Sequence, residues 1–336
     1  MKEAMFYEIL GDNFVQCCLC FRNCKIAPSK RGFCKTRENR EGKLYSLVYS
    51  APCAIQIDPI EKEPSFHMLP GSNMLCIGTA GCNLICKFCH NWHMSFATVE
   101  ETHNYDVSPE EILDFAKEEG CQTVSFTYNE PTVFYELMLD VMKLAKEEGL
   151  KTLFHTNGAM NEAPLRELLN YTDSVTVDLK GFTQEFYSNL LKNALIEPVL
   201  KNLKIIKKRN KHLEIVNLVI PTINDNEDDV KRMCIWIKEN LGEDVPLHFN
   251  RFSPVHKLIY FLPTPIITLE KLKMIANDVG LKYIYIGNVS GHMFNSTYCP
   301  ECKIRLIYRI HFSVLENNIK NGECRFCKVK IPGIWE

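Results

Sequence analysis

Three cysteines in one short loop are the residues of this sequence best suited to chemistry. Cys82, Cys86 and Cys89 have the spacing C-x3-C-x2-C and follow an apolar run at 74–77, which predicts a buried strand. Three thiolates can bind three irons of a cubane cluster, whereas ordinary ferredoxin-type clusters use four. The fourth iron would then be open to a small molecule. Zinc is the alternative ion, but structural zinc takes four ligands and this loop offers three.

Two further sets of four cysteines lie near the two ends of the chain. The N-terminal set has the spacing C-x2-C-x3-C-x9-C, and the C-terminal set has the spacing C-x2-C-x21-C-x2-C. Each spacing predicts a closed four-thiolate site: zinc or a second iron-sulfur cluster at the N-terminus, and zinc or iron in a ribbon-like or rubredoxin-like module at the C-terminus. Unliganded thiols are the alternative at the N-terminus, where Cys18 could also replace Cys17. The N-terminal set is Cys17, Cys20, Cys24 and Cys34, and the C-terminal set is Cys299, Cys302, Cys324 and Cys327.

The composition of the 336-residue chain limits its compartment and its partners. Sixteen cysteines without a secretion signal indicate reduced thiols in the cytoplasm, where cysteine clusters bind metal more often than they form disulfides. The formal net charge of -2 gives no reason to expect nucleic acid or an anionic membrane as the main partner. Since no run of about 20 apolar residues occurs, we expect no membrane span.

Strands alternate with helical patterns between residues 72 and 291. After the first strand, β-branched or aromatic runs predict strands at 122–128, 151–155, 174–179, 213–220, 246–252 and 282–286. A capping box of Ser108 and Glu111, with Pro109 at the first helical position, predicts the start of one intervening helix. The alternation predicts an α/β fold with a parallel, barrel-like sheet and chemistry at the carboxyl ends of its strands. We divide the chain into an N-terminal cysteine-rich module (1–71), a partial barrel (72–291) and a C-terminal metal-binding module (292–336).

Charged residues follow two of the predicted strands. Glu130, held extended by Pro131, comes after the second strand, where its carboxylate could hold an ammonium group. Asp178 and Lys180 follow the fourth strand and, as alternate residues of an extended segment, share one face. Together they suit a zwitterionic ligand. The structural alternatives are a surface turn at Glu130 and a simple ion pair between Asp178 and Lys180.

The order of these motifs, over nearly the whole chain, resembles the radical S-adenosylmethionine (SAM) superfamily. An aromatic residue, Phe88, precedes the last cysteine of the central loop, as it does in that family. Tyr128-Asn129 precedes Glu130 where the family usually has two glycines, so this match is partial. With Asp178-Leu179-Lys180, Gly287-Asn288-Val289 and the two terminal cysteine sets, the chain is similar to the AmmeMemoRadiSam-system enzymes, which are relatives of the activating enzymes of pyruvate formate-lyase.

The resemblance implies a partial (βα)6 radical SAM barrel with a [4Fe-4S] cluster on Cys82, Cys86 and Cys89. SAM would chelate the open iron, and its other contacts would come from four residues at the barrel mouth. These are Glu130 at the ammonium group, Asp178 and Lys180 near the ribose and carboxylate, and Phe88 at the adenine. His155 stands where the related activases have an aspartate beside a monovalent cation. No further side chain is assigned a catalytic role.

The resemblance also implies an activity. We expect reductive cleavage of SAM to a 5'-deoxyadenosyl radical, which abstracts hydrogen from a substrate that the sequence does not identify. A low-potential donor, ferredoxin or flavodoxin, would supply the electron, and a protein substrate or a Memo-like or AMMECR-like partner is expected. The N-terminal module would help to exclude water. The alternatives are an activase of a glycyl radical enzyme and a non-catalytic iron-sulfur or zinc scaffold.

Overall fold

The computed structural model describes residues 1–336, and its first 46 residues form two small antiparallel sheets. The strands are β1 (Lys2–Glu3), β2 (Tyr7–Ile9), β3 (Val15–Cys17), β4 (Lys25–Ile26), β5 (Arg37–Arg40) and β6 (Lys43–Ser46). The sheet orders are β1-β6-β5 and β2-β3-β4. Asn39 joins the two sheets, because its amide donates to the carbonyl oxygens of Asn13 and Ile26 at 2.8 Å each. The strands are so short that most of the N-terminal cysteines lie in the loops between them.

One eight-stranded sheet forms the centre of the molecule. Its strands are β7 (Ala54–Pro59), β8 (Asn73–Gly78), β9 (Thr123–Phe126), β10 (Lys151–Thr156), β11 (Ser174–Asp178), β12 (His212–Val219), β13 (Leu247–Arg251) and β14 (Ile284–Gly287). They lie side by side in chain order, and all seven from β8 to β14 are parallel. β7 pairs with β8 in the antiparallel direction. The sheet keeps two edges, at β7 and β14, so the barrel is open.

Helices connect the parallel strands and cover one side of the sheet. They are α1 (Trp92–Ser95), α2 (Pro109–Glu118), α3 (Tyr135–Glu147), α4 (Glu162–Leu168), α5 (Gln184–Leu190), α6 (Glu197–Lys208), α7 (Glu227–Leu241) and α8 (Ile266–Val279). α2 begins with the predicted capping box, in which Ser108 and Glu111 satisfy each other's backbone N–H groups. The main core, of 66 buried residues, fills the space between sheet and helices. No helix is both long and apolar enough to cross a bilayer.

The observed sheet confirms the predicted α/β class with six βα units and adds one strand to it. Every predicted strand overlaps an observed parallel strand, because β-branched runs between helix caps mark buried parallel strands well. The sequence predicted the first strand of the sheet at 74–77, yet Ala54–Pro59 precedes it and pairs with β8 along its whole length. The predicted boundary at residue 71 therefore falls between two strands of one sheet, and the division into domains remains a prediction.

The C-terminal module packs against the last strand of the sheet. It contains β15 (Thr297–Tyr298), β16 (Arg305–Ile310), β17 (Ser313–Asn317), β18 (Ile319–Lys320) and β19 (Glu323–Cys324). Its own small core includes Tyr283 and Tyr285 of the β14 region, so the module shares side chains with the barrel. The buried guanidinium of Arg309 also lies 3.3 Å from the carboxylate of Glu61, which belongs to the chain just after β7.

A buried ion pair attaches the N-terminal module to the barrel. Arg37 of β5 donates from Nη2 to both carboxylate oxygens of Glu136 in α3, at 2.6 and 2.7 Å, and both side chains are almost completely buried. Burial alone would lower the pKa of Arg37, but the Glu136 carboxylate outweighs it and raises that pKa. Glu136 also accepts from the backbone N–H of Met5 at 2.7 Å. The pair therefore orients three segments at once.

Replacing Arg37 by leucine should destabilise the fold by about 3–5 kcal/mol, because the Glu136 carboxylate would remain buried without its cation. The double replacement Arg37→Leu/Glu136→Leu should recover most of this loss, since it removes both charges. Urea unfolding followed by circular dichroism measures the difference. The exposed pair of Lys43 and Glu3, 3.8 Å apart, provides the control, and Lys43→Met should change the free energy of unfolding little. Equal stability of the single and double variants would contradict this role of the pair.

Candidate cofactor site at the mouth of the barrel

The three-cysteine loop follows β8 and is held by contacts on both of its sides. Gly81 has a φ of +87°, and a Cβ at this position would lie 2.5 Å from the carbonyl oxygen of Cys34. A left-handed φ and this close approach together require glycine. On the other side, Asn129 donates to the carbonyl oxygen of Gly81 at 2.7 Å and accepts from the N–H of Thr79 at 3.1 Å. The loop thus has one conformation, set by the N-terminal module and by the turn after β9.

The three thiols of this loop line one cavity of about 330 Å³ at the carboxyl ends of the strands. Burial raises the pKa of Cys86 to about 12 and also raises those of Cys82 and Cys89. The thiols have only weak protein partners, such as Ser95 Oγ, 3.7 Å from the sulfur of Cys89. Three buried thiols that face one space fit a group that takes thiolate ligands, and three is the number that a site-differentiated cubane needs.

Glu130 lines the same cavity from the turn after β9. Its Oε1 accepts from Thr132 Oγ1 at 2.5 Å and from Thr156 Oγ1 at 2.8 Å, while its Oε2 accepts from the N–H of Asn157 at 2.7 Å. Burial raises the pKa of Glu130, and these hydrogen bonds act against the rise. The surface turn considered from sequence is therefore wrong, because the side chain is 4% exposed. One oxygen keeps room for another donor.

Asp178 and Lys180 form the ion pair that the sequence suggested, and the pair lines the cavity. Nζ of Lys180 lies 2.5 Å from Oδ2 of Asp178. Burial would raise the pKa of Asp178, but Lys180 and His155 hold it well below its usual range. Burial likewise opposes the charge of Lys180, yet Asp178 raises the pKa of that ammonium. The structural and ligand-binding interpretations are compatible, since a pair this fixed presents charge to the cavity at constant positions.

His155 completes a row of alternating charges. Its Nε2 lies 3.1 Å from Oδ1 of Asp178, and its Nδ1 lies 3.4 Å from Oε1 of Glu63. Burial alone would lower the pKa of His155, but the two carboxylates outweigh it and raise the pKa to about 10. The two carboxylates therefore favour the charged imidazolium form of His155. Its contacts are ion pairs with imperfect hydrogen-bond alignment, because Nε2 meets no acceptor within hydrogen-bond geometry.

A second wall of the cavity was missed in the sequence. Asp58, Lys62 and Glu63 line it, and they come from the end of β7 and the turn after it. Asp58 accepts from the Tyr128 hydroxyl at 2.8 Å and pairs with Lys62 at 2.7 Å. The charged run around Pro59 and Pro64 was the available signal. It could not be placed, because only the pairing of β7 with β8 brings it to the barrel mouth.

The remaining predicted site residues occupy three places. Phe88 is buried beside the cavity, with its ring centre 6.1 Å from that of Phe186. The N-terminal set lines a separate cavity that includes Cys17 but not Cys18. The C-terminal sulfurs all lie within 4.8 Å of one another, with separations of 3.5 Å for the pair Cys299 and Cys327 and 3.8 Å for Cys302 and Cys324.

Comparison with known proteins matches residues 76–234 to the radical SAM superfamily. An uncharacterized protein of Methanocaldococcus jannaschii is 42% identical over 333 residues, which cover 98% of this chain and 99% of that protein. The pyruvate formate-lyase 1-activating enzyme of Escherichia coli K12 is 26% identical over 224 residues, covering 61% of this chain and 89% of the enzyme.

A solved structure, SuiB of Streptococcus suis, is similar in fold, with a TM-score of 0.52 and 15% identity over 68% of this chain and 52% of SuiB. The family match begins in β8 and ends in α7, so it includes the three-cysteine loop, Glu130 and the Asp178–Lys180 pair. The narrower AmmeMemoRadiSam assignment remains a prediction. The chain belongs to the radical SAM superfamily and has relatives among the pyruvate formate-lyase activating enzymes.

Proposed function

We propose that this chain generates a 5'-deoxyadenosyl radical from SAM and uses it to abstract hydrogen from a substrate at the barrel mouth. One observation carries the proposal: the three thiols share a cavity with a buried carboxylate and a fixed ammonium–carboxylate pair. Family membership implies a [4Fe-4S] cluster and SAM. When bound, the cluster and SAM would together supply one-electron cleavage of the sulfonium and a carbon radical that can abstract hydrogen.

The chain's own residues would hold both groups. Cys82, Cys86 and Cys89 would supply one thiolate to each of three irons. Glu130 would accept from the ammonium group of SAM, because its Oε2 has only the N–H of Asn157 as a partner. The Asp178–Lys180 pair would orient the ribose and carboxylate. Phe88, already buried beside the cavity, would lie against the adenine.

The wall built by β7 would face the substrate. Asp58, Lys62 and Tyr128 form a connected polar group there, at 2.7 and 2.8 Å. Closely spaced hydrogen-bonding groups restrict how a substrate can lie, and correct placement is what a radical reaction requires of its protein. This wall would also help to exclude water, which is the role expected of the N-terminal part of the chain.

A glycyl radical activase is the second candidate. The E. coli relative is named as an activating enzyme of pyruvate formate-lyase, and this chain aligns with 89% of it. In that case the substrate would be a glycine in a large protein partner. Addition of such a partner would produce a glycyl radical signal in electron paramagnetic resonance. A Memo-like or AMMECR-like protein is the other class of partner that we expect. The expected compartment is the reducing cytoplasm, where the cysteines do not form disulfides.

The C-terminal set would serve stability. Four sulfurs within 4.8 Å of one another suit one tetrahedral ion, zinc or iron, with no open position for chemistry. The ion would hold β16 to β19 around the core that the module shares with Tyr283 and Tyr285.

The first test is the formation of 5'-deoxyadenosine under anaerobic conditions. After reconstitution with iron and sulfide, the wild type should form this product from SAM and dithionite, and Cys86→Ala should lose it by at least about a thousandfold. Cys121→Ala is the matched control, because Cys121 is a buried thiol at the opposite end of β9. Product from Cys86→Ala, or none from a wild type with a reducible cluster, would contradict the proposal. The second result would favour the non-catalytic scaffold.

The charge of His155 should appear in the pH dependence of stability. Because its pKa is raised from 6.5 to about 10, its ion pairs stabilise the fold fully below pH 6.5. Their contribution falls as pH rises and is lost through about pH 10. The difference in Tm between wild type and His155→Gln should therefore be largest near pH 6 and shrink toward pH 10. A difference that stays constant over this range would show that His155 is neutral in the folded protein.

The same imidazolium should replace the monovalent cation expected in related activases. His155→Asp would place a second carboxylate beside Asp178 and remove the imidazole nitrogen that now lies 3.1 Å from it, so the repulsion between the two carboxylates would be uncompensated. Formation of 5'-deoxyadenosine by this variant should require added K⁺ or Na⁺, whereas the wild type should be indifferent to both. His155→Asn, which adds no charge, serves as the control and should not respond. Cation dependence of the wild type would contradict this role.

A further inference from the structure

The N-terminal cysteines surround a second cavity, separate from the one at the barrel mouth. The four thiols that line it are Cys17, Cys20, Cys24 and Cys34, which come from β3 and from the loops around β4. The rest of its wall combines apolar side chains, among them Leu19, Ile26 and Phe33, with two arginines, Arg22 and Arg37. Cys18 lies outside it, and its sulfur donates to the carbonyl oxygen of Gln16 at 3.6 Å. The structure therefore selects Cys17 over Cys18 as the fourth member of this set.

The spacing of the sulfurs differs between the two ends of the chain. A single zinc ion with bonds of 2.3 Å holds four sulfurs about 3.8 Å apart. The C-terminal sulfurs fit this spacing and, among all cysteine, histidine and acidic side chains of the chain, form the one group that converges within 4.8 Å. The N-terminal sulfurs line a common cavity without converging so closely. The sulfurs of the central loop likewise do not converge within 4.8 Å, and family membership implies a cubane cluster in that loop.

We propose that Cys17, Cys20, Cys24 and Cys34 bind a second [4Fe-4S] cluster, and that this cluster passes electrons to the one at Cys82, Cys86 and Cys89. A cubane separates its four thiolates because four irons lie between them, which a lone ion cannot do. This transfer of electrons between the clusters, the relay, rests on the proposed function. The assignment of a [4Fe-4S] cluster to the N-terminal cysteines does not.

The two cysteine sites share a short segment of backbone. Residues 81–83 touch both: the carbonyl oxygen of Cys34 lies 2.5 Å from the position of a Cβ at Gly81, and Asn83 lines the N-terminal cavity. Cys82, between them, lines the barrel-mouth cavity. Adjacent residues are 3.8 Å apart, so the two groups of thiols are on the order of 10 Å from each other. Electrons tunnel readily through protein over such a distance.

A cation stands between the two sites. Nε of Arg22 donates to the carbonyl oxygen of Asn83 at 2.6 Å, and its guanidinium lies 3.5 Å from the ring centre of Phe33. A positive charge here stabilises the extra electron on either cluster and so lowers the barrier to its transfer.

Three exposed lysines, Lys25, Lys30 and Lys35, lie in the segment that carries the N-terminal cysteines. Residues 17–37 contain six lysines and arginines and no acidic residue, although Arg37 is buried against Glu136 and Arg31 pairs with glutamates outside the segment. Such a surface suits an acidic one-electron donor, a reduced flavin protein or iron-sulfur protein. The donor would lose one electron and the N-terminal cluster would gain it. That cluster would return to its oxidised state as it reduces the central one, so no further reactant is needed.

Metal analysis tests the cluster without any activity. Anaerobically reconstituted wild type should hold about eight irons and eight sulfides in clusters, and Cys86→Ala should retain about four of each. Cys24→Ser/Cys34→Ser should also retain about four, with the C-terminal metal unchanged. Cys18→Ser is the control and should keep all eight. If the double variant fails to fold, the iron and sulfide content of Cys86→Ala alone still shows whether a second cluster is present. Four irons in the wild type, with a zinc that is lost in Cys24→Ser/Cys34→Ser, would overturn the proposal.

The relay is tested by comparing electron sources. For Lys25→Glu/Lys30→Glu, the ratio of the 5'-deoxyadenosine rate with reduced flavodoxin to that with dithionite should fall roughly tenfold. It should fall further in Cys24→Ser/Cys34→Ser. Lys207→Glu/Lys208→Glu reverses two exposed charges on α6 and is the control. An unchanged ratio in both variants would overturn the relay. A wild type that forms no product with dithionite would instead overturn the proposed function and leave the iron count standing.

Discussion

The close contact between the N-terminal module and the loop after β8 is the constraint on which the site depends. Gly81 can place Cys82, Cys86 and Cys89 around one cavity only because its left-handed backbone fits against the carbonyl group of Cys34. The same loop is tied from the other side by Asn129. A thiol loop with fewer contacts would lose the fixed geometry that a cluster needs, since each ligand must point at a different iron. The N-terminal module is therefore part of the site.

That attachment is built from buried polar contacts. The Arg37–Glu136 pair is almost inaccessible to water, and Thr36 of the same segment donates to the carbonyl oxygen of Val133 at 3.1 Å. A buried ion pair adds little net stability compared with an apolar contact, but it tolerates only one arrangement of the two segments. This precision matters here because a shift of the N-terminal module would move Cys34, and with it the start of the cysteine loop.

The barrel mouth concentrates charge that water would otherwise screen. Glu63, His155, Asp178 and Lys180 alternate in sign and are held within 2.5 to 3.4 Å of their neighbours. The attraction between neighbours opposes the change that burial alone would make to the pKa values of His155, Asp178 and Lys180, and so favours their charged forms. His155 gives this row a cationic member, at the cost of burying a histidine between two carboxylates.

The two terminal cysteine sets differ in geometry although they look alike as spacings. The C-terminal sulfurs converge on one point, whereas the N-terminal sulfurs surround a cavity that adjoins the central loop. Four cysteines in a sequence are compatible with either arrangement, because the separation of the thiols depends on how the strands between them pair. The sequence alone could therefore identify the candidate ligands, but it could not decide between zinc and iron at either set.

Local features of the sequence determined the fold class, the strands, the capped helix and the thiols of the central loop. These depend on spacing within a few residues, where the chain has little freedom. The tertiary structure alone decided that β7 joins the sheet, that Asp58 and Glu63 face the cavity, and that Cys17 rather than Cys18 belongs to the N-terminal set. Each of these depends on backbone pairing between residues far apart in the chain. Such pairing is settled by the packing of the whole core, which no short pattern of residues records.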